Sequence, residues 1–291
     1  MVVRIVGIVF PIFAIVAAGY FYGRKHRPDM AFANQLNMDV FVPALVFAAL
    51  ASRSFDPDVY GKLALGGLAV VLGSGLLAWP LARLLREHSK TFVPPMMFTN
   101  SGNMGLPLMV LAFGEAALPA AVALFFIENT LHYSLGTWML DRHARLWNLW
   151  RVPVIAAALA GLAVSALGLV LWPPLLLGIK MLGDVSIPLL LFALGVRLTD
   201  SAFADWRLGV VAAVACPLSG MLLALAVAPL LGLTGLHRDM LLVFGALPPA
   251  VLNYVFAERY QQEPGKVASI VMVGNLGSLV FVPLALALVL R

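Results

Sequence analysis

Hydrophobic residues follow one another along this chain in long uncharged runs, which short polar or Pro- and Gly-containing stretches separate. A helix that crosses a membrane needs roughly 20 apolar residues in succession, and a membrane barrel would instead show short alternating segments. The pattern therefore predicts an all-α integral membrane protein. Its membrane helices, about ten in number, are expected at 3–22, 31–51, 62–82, 91–113, 117–140, 152–171, 175–196, 208–231, 239–257 and 266–290.

The fourth run has a centre that does not suit a regular helix. It reads Asn-Ser-Gly-Asn-Met-Gly-Leu-Pro at 100–107. Gly102, Gly105 and Pro107 weaken or remove backbone hydrogen bonds. Bare backbone groups in lipid are costly unless protein or a wet cavity satisfies them. We therefore expect a binding site at this interruption.

A short segment in the second half of the chain matches one in the first half. Asp39 and Pro43 in the second run correspond to Asp184 and Pro188 in the seventh, at a constant offset of 145 residues. Because five helices per half is an odd number, a duplicated half would enter the membrane upside down. The hypothesis is one transporter unit over 1–291, with a first inverted repeat at 1–140 and a second at 152–291.

The same offset gives the interrupted fourth run a counterpart in the ninth, where Pro248 falls opposite Asn103. Two spans interrupted at matching depths point to a transporter's binding site. The N-terminal ends of half-helices carry partial positive charge and free N–H groups, so they favour an anion such as a carboxylate. The alternative is a pair of kinked helices whose small residues only allow close packing.

The candidate substrate-binding residues all lie at one of these two interruptions. They are Asn100, Gly102, Asn103, Gly105, Pro107, Pro248, Pro249 and Asn253.

In the fifth run, Glu128 and His132 lie four residues apart and therefore on one helix face. An ionisable residue inside a membrane is a functional hypothesis by default, here the coupling of transport to H⁺ or Na⁺. The alternative is a carboxyl that stays protonated or pairs with His132. Asp39 and Asp184 are expected to be structural, and Lys180 is expected to pair with Asp184.

Composition and charge exclude several classes of protein. With 62% hydrophobic and 11% charged residues, this is no soluble domain. The basic residues form no cluster, so we expect no nucleic-acid partner. Alternate loops hold 13 and 6 of the 19 Lys and Arg residues, which predicts that both termini face away from the cytoplasm. A cleaved signal peptide at the N-terminus is the alternative to a first membrane helix. No catalytic motif, metal-ligand spacing or cofactor motif is present in a plausible setting, so we expect no enzyme, no metal and no cofactor.

Three stretches resemble the auxin efflux carrier family, which includes bacterial carriers described as malonate transporters and the plant PIN auxin exporters. They are Asn-Ser-Gly-Asn-Met-Gly-Leu-Pro at 100–107, Phe-Val-Pro-Ala-Leu at 41–45, and Ala-Leu-Pro at 246–248 with Val-Phe-Ala-Glu-Arg-Tyr at 255–260. The short connection at 141–151 differs from the long cytoplasmic loop of the plant exporters, which favours a bacterial carrier.

The resemblance implies a ten-helix fold of inverted five-helix repeats with crossed, broken helices four and nine. Spans one, two, six and seven would form a dimerising scaffold, and spans three to five and eight to ten a mobile transport domain. The implied mechanism is elevator-type alternating access. The crossover positions that carry over are Asn100, Gly105, Pro107 and Pro248.

The resulting expectation is a secondary transporter of small organic anions, auxin-like molecules or mono- and dicarboxylates, in a cell inner membrane and contacting lipid. Two alternatives remain at this point. One is a sodium-coupled symporter of the bile-acid-transporter type, and the other is a membrane receptor that binds an organic anion without moving it.

Overall fold

The computed structural model describes residues 2–51, 57–142, 152–199 and 205–290. This described part of the chain is helical, and its one β-type pairing is an isolated bridge between Thr99 and Pro249. Six of its helical segments are long and apolar enough to cross a membrane. These features agree with the predicted class, an all-α membrane protein.

The helices divide the chain as follows. In chain order they are α1 (Val2–His26), α2 (Ala31–Ala51), α3 (Pro57–Leu84), α4 (Ser89–Met97), α5 (Ser101–Phe113), α6 (Leu118–Leu131), α7 (Pro153–Ala166), α8 (Pro173–Arg197), α9 (Trp206–Leu230), α10 (Gly235–Gly245), α11 (Leu252–Arg259) and α12 (Pro264–Val289). A π-helical turn, His132–Gly136, and a short helix, Thr137–Leu140, continue α6. Further π-helical turns lie inside α2, at Asn37–Phe41, and at the start of α5, at Ser101–Gly105.

Helix α7 ends five residues before the position that hydropathy predicts. Gly168 adopts a left-handed conformation with φ +61°, which suits glycine. Its N–H donates to the Ser165 carbonyl at 3.1 Å, and the Leu169 N–H donates to the Val164 carbonyl at 3.0 Å. This pair of bonds is the Schellman motif, which satisfies the last carbonyls of a helix. Apolar residues continue beyond the motif, so hydropathy alone places the end too late.

The helices pack in two groups. In the first helix group (α1, α2, α7 and α8), α1 packs along the C-terminal half of α8, and α2 packs against α7 and the N-terminal half of α8. In the second helix group (α3 to α6 and α9 to α12), α9 contacts α3, α10 and α12, while α6 packs on α3. Contacts between the groups are sparser. They involve α1, α2, α7 and α8 on one side and α5, α6 and α12 on the other.

Glycine pairs allow the closest helix contacts inside each group. A Cβ at Gly195 of α8 would overlap the Val16 carbonyl of α1. In the second helix group, a Cβ at Gly220 would overlap the carbonyl of Gly245, and one at Gly245 would overlap that of Gly220. Small residues are the usual means by which membrane helices bring their backbones together. The contact between Gly220 and Gly245 holds α9 closely against the end of α10.

Candidate binding site at two helix interruptions

The fourth and ninth runs are both interrupted, and the interruptions contact each other. The backbone N–H of Asn100 donates to the Pro248 carbonyl at 2.7 Å, and that of Ala250 donates to the Phe98 carbonyl at 3.0 Å. These bonds form the antiparallel bridge between Thr99 and Pro249. Each unwound segment thus satisfies part of the backbone of the other, which removes the cost of leaving those groups bare in lipid.

Three asparagine side chains hold the two interruptions together. Asn253 Nδ2 donates to the Phe98 carbonyl at 2.9 Å and to the Ala250 carbonyl at 3.0 Å. Asn275 Nδ2 donates to the Pro249 carbonyl at 3.0 Å. Asn100 Nδ2 donates to Asn275 Oδ1 at 3.0 Å. Carboxamides can donate and accept at once, so these residues join α4, α11 and α12 across both interruptions.

The interruption of the fourth run precedes the glycines and proline that predict it. Gly102 and Gly105 lie within the π-helical turn that begins α5, and the Gly105 N–H donates to the Asn100 carbonyl at 2.9 Å. A Cβ at Gly105 would approach Leu247 Cδ1 to 2.9 Å. Pro107 lies two residues after this turn, in the first turn of the α-helical part of α5. The extended residues are those whose backbone pairs with the ninth run, so the pairing decides where the helix breaks.

A cavity of about 310 Å³ lies beside the interruptions, between the two helix groups. The second group contributes the first residues of α5 and α11, among them Gly102, Asn103 and Leu252. The first N–H groups of a helix have no partner within it and carry partial positive charge. Two such helix starts therefore face one cavity, which suits an anion. The first group contributes residues of α2 and α8 to the opposite wall.

Arg197, the last residue of α8, lines this cavity and also a second one of about 480 Å³. The second cavity continues along α11 and α12 as far as Glu258 and Pro264. The Arg197 guanidinium lies 5.6 Å from the centre of the Tyr254 ring, and the Tyr254 hydroxyl donates to Glu258 Oε1 at 3.3 Å. Within the described residues, Arg197 is the one arginine or lysine that lines either cavity.

Glu128 and His132 form a buried pair at the inner wall of the first cavity. Each residue is 2% exposed. Glu128 Oε2 accepts a hydrogen bond from the Ser101 hydroxyl, and Glu128 Oε1 lies 3.8 Å from His132 Nδ1. The His132 ring stacks on Phe98, with ring centres 4.2 Å apart. Glu128 is thus hydrogen-bonded to α5, and His132 packs on the interruption that precedes α5.

The sequence-based candidates lie close together in the structure, but only some of them line the first cavity. Asn100, Gly102, Asn103, Glu128 and His132 line the first cavity. The remaining candidates do not line this cavity. The carbonyls of Pro248 and Pro249 and the side chain of Asn253 take part in the pairing of the interruptions. Gly105 donates its N–H to the Asn100 carbonyl, and Pro107 is buried in the first turn that follows.

Sequence reasoning missed two residues. Asn275 is the one carboxamide residue in the apolar helix α12, and this isolated polar residue could have been recognised from the sequence. Arg197 directly follows the seventh apolar run, where its sequence position suggests a loop charge, and only the tertiary structure brings the end of α8 to the cavity. In the described part of the chain, no group of three or more His, Cys, Asp or Glu side chains could hold a metal ion. Lys180 Nζ lies 3.0 Å from Asp184, as predicted, on the protein surface.

These features define a multi-pass helical membrane protein with a cavity between two helix groups that apolar and a few polar side chains line. The chain matches the family described as membrane transport protein at residues 4–147 and 143–286, and it belongs to this family. The resemblance to the auxin efflux carriers is therefore confirmed at the level of the family, and the protein is a membrane transporter and not an enzyme.

Relatives of similar length carry transporter names. An uncharacterized transporter of Methanocaldococcus jannaschii is 22% identical over 298 residues, which cover 95% of this chain and 96% of the relative. The uncharacterized transporter YfdV of Escherichia coli is 24% identical over 315 residues, or 98% of this chain and 97% of the relative. A protein of Rhizobium meliloti named "Putative malonate transporter" is 25% identical over 214 residues, or 67% of each chain.

Proposed function

We propose that this protein is a secondary transporter of small organic anions that bind in the cavity beside the paired interruptions. The observation that carries this proposal is that the first residues of α5 and α11 line one cavity. Both helix starts place partial positive charge and backbone N–H donors there. Arg197 adds a full positive charge at the opposite wall. Both helix groups would therefore contribute positive charge that attracts an anion.

Mono- and dicarboxylates, including auxin-like molecules, are the substrate class that fits best. A cavity of about 310 Å³ lies at the lower end of the range for small-molecule sites. Asn103 lines it, and its carboxamide could donate to a carboxylate oxygen. Asn100 and Asn253 have their Nδ2 groups engaged in the pairing of the interruptions, so they would position the site instead of donating to the substrate.

Alternating access would follow from movement of the second helix group against the first. The cavity lies between the groups, and the glycine contacts stiffen each group internally. Such a division suits an elevator-type mechanism, with α1, α2, α7 and α8 as the scaffold. The second cavity reaches Glu258 and Pro264, at the side predicted to be cytoplasmic, and would be the inner path to the site.

Ten membrane passes in two inverted repeats are part of this proposal. In the second and seventh runs, regular helical bonding is interrupted shortly before the related prolines. The π-helical turn Asn37–Phe41 precedes Pro43, and the break at Val185 precedes Pro188. A proline removes one N–H and crowds the preceding turn, so equivalent prolines would disturb equivalent places. We also propose a homodimer in a cell inner membrane, surrounded by lipid, with both termini on the non-cytoplasmic side.

Flux through proteoliposomes tests the function. Purified protein is screened by thermal shift against malonate, succinate, acetate and indole-3-acetate, because a ligand that binds the folded state raises the melting temperature. Binding anions are then tested for counterflow. Counterflow supports a transporter, whereas binding without counterflow identifies a receptor. Uptake that requires sodium favours a symporter of the bile-acid-transporter type. If none of the four anions binds or moves, the proposed substrate class is wrong.

A further inference from the structure

We propose that Glu128 is the proton-binding group that couples anion transport to a proton gradient, so that one proton accompanies each anion. This inference rests on the proposed function and deepens it. It assigns the coupling ion and the residue that binds it.

Glu128 is hydrogen-bonded to the first residue of α5. Ser101 is the first residue of α5, and its hydroxyl donates to Glu128 Oε2. The next two residues, Gly102 and Asn103, line the cavity. Glu128 therefore lies at the same positive helix end that would attract the substrate. An ionised Glu128 already supplies a negative charge to that end.

An ionised Glu128 would repel an anion bound beside α5. Two negative charges close together in a site of low dielectric repel one another strongly. An anion would therefore bind beside α5 more tightly when Glu128 carries a proton than when it is ionised. Linkage is reciprocal, so the bound anion must raise the affinity of Glu128 for its proton by the same factor. The structure thus contains the elements of proton–anion coupling.

Glu128 Oε1 and His132 Nε2 make no hydrogen bond of ordinary geometry in the described part of the chain. The Thr99 backbone lies beside Glu128, and the Asn253 side chain lies beside His132. Glu128 and His132 both line the cavity and are 2% exposed. Unsatisfied polar atoms are rare in protein interiors. Glu128 can bind a proton from water in the cavity on Oε1, which lies 3.8 Å from His132 Nδ1, and return it to water on the other side.

Other charged and titratable groups surround this pair. Tyr133 follows His132 in the chain and lines the same cavity, and Asp39 of α2 is the nearest acidic residue on the first helix group that faces it. Arg197 of α8 faces the same cavity. Lys90 approaches the far side of His132, with its ammonium bonded to the Leu140 carbonyl at 2.8 Å. Among the described residues, Glu128 is the one carboxyl group that lines the cavity, which makes it the residue to test.

Malonate is the probe for the transport test. In the wild type, an inward acid gradient should accelerate malonate uptake, and malonate affinity should rise by up to about tenfold for each unit by which pH falls, as one linked proton requires. In Glu128→Gln, the ratio of uptake with and without the gradient should fall to about one, and the affinity should lose its pH dependence. Glu115→Gln is the matched control, because Glu115 lines a different cavity, and it should behave as wild type.

Infrared difference spectroscopy tests the proton site without any substrate. A band from a protonated carboxyl should titrate with pH in the wild type and in Glu115→Gln and be missing from Glu128→Gln. Ser101→Ala keeps the carboxyl but removes its donor, so it should move the midpoint of this titration. It also serves as the second variant if Glu128→Gln folds poorly.

The outcomes separate the two proposals. Absence of a Glu128 carboxyl band that changes with pH overturns the inference. So does a wild-type response to the acid gradient in Glu128→Gln, or uptake that depends on sodium and not on pH. If no anion of the screen binds while the Glu128 band titrates, the proposed function fails and the proton site stands.

Discussion

The carboxamide nitrogen of Asn100 lies 3.0 Å from the carboxamide oxygen of Asn275, so α12 is bonded directly to the interruption of the fourth run. Asn275 also donates to the Pro249 carbonyl in the other interruption. One buried side chain on a continuous helix thus fixes two breaks at once. Both breaks keep their shape because a third element satisfies them.

We predict that Asn275→Leu destabilises the protein markedly. The change leaves the Pro249 carbonyl and the Asn100 carboxamide without their buried partner, at about 1–3 kcal/mol for each group. The melting temperature in detergent measures the loss. Leu276→Ala is the control on the same helix, since Leu276 is exposed at the surface that would face lipid. Equal melting temperatures for Asn275→Leu and Leu276→Ala would contradict the prediction.

Replacing Arg197 should weaken anion binding. We expect Arg197→Gln to lower malonate affinity by about tenfold to a hundredfold, because a hydrogen bond to a charged group contributes about 1.5–3 kcal/mol. Arg197→Lys should retain part of the affinity, because lysine keeps the charge but loses the planar donor array. Titration calorimetry at two salt concentrations checks both variants.

The matched control for Arg197 is Arg238→Gln. Arg238 is exposed and pairs with Asp239 at 2.7 Å, and neither residue lines the two cavities. This variant should bind malonate as wild type does. Arg197→Gln with unchanged affinity would remove Arg197 from the site.

The contact between α9 and α10 should tolerate no side chain at Gly220. Gly220→Ala forces a Cβ onto the Gly245 carbonyl, so the helices must separate. We expect a loss of roughly 1–3 kcal/mol, the usual effect of overpacking. The fraction of protein that stays monodisperse after heating measures it. Gly7→Ala is the control, because nothing lies within 4 Å of a Cβ at Gly7 and alanine favours a helix. A Gly220→Ala protein as heat-resistant as Gly7→Ala would refute the close contact.

An ion-pair cluster at the start of α12 should make stability depend on pH. Glu263 accepts from Lys266 at 2.8 Å and from the Thr91 hydroxyl at 2.6 Å. Hydrogen bonds from Lys266 first, and from Thr91 second, lower the pKa of Glu263. For a lowered pKa, the stabilisation is fully present above the pKa of the unfolded chain and is lost as pH falls through the folded-state pKa.

Glu263→Gln should therefore be less stable than wild type near neutral pH, and the difference should disappear in acid. The effect should stay below about 1 kcal/mol because Glu263 is 35% exposed and solvent screens its charge. Melting temperatures across a pH series check the trend. The control is Glu115→Gln, because the Glu115 side chain makes no hydrogen bond or ion pair with the described residues. A difference that grows in acid would have the wrong sign.

Much of the fold and of the site region is readable from local sequence. Uncharged runs of membrane length dictate helices, since a helix satisfies its own backbone in lipid. Asn-Ser-Gly-Asn-Met-Gly-Leu-Pro and Ala-Leu-Pro-Pro mark the two places where helical bonding fails. The end of α7 shows the limit, because the hydrogen bonds around Gly168 end the helix while the apolar run continues.

By itself, the sequence determined which residues enter the membrane and near which of them the helices break, because hydropathy and missing backbone donors act over a few neighbouring residues. Only the tertiary structure decided that the backbone breaks at Phe98 to Asn100, that Asn275 joins both breaks, and that Arg197 reaches the cavity. Those contacts connect separate helices, and the residues they join lie from 26 positions apart, for Asn275 and Pro249, to 175 positions apart, for Asn100 and Asn275. They depend on how the helices pack, which no local pattern records.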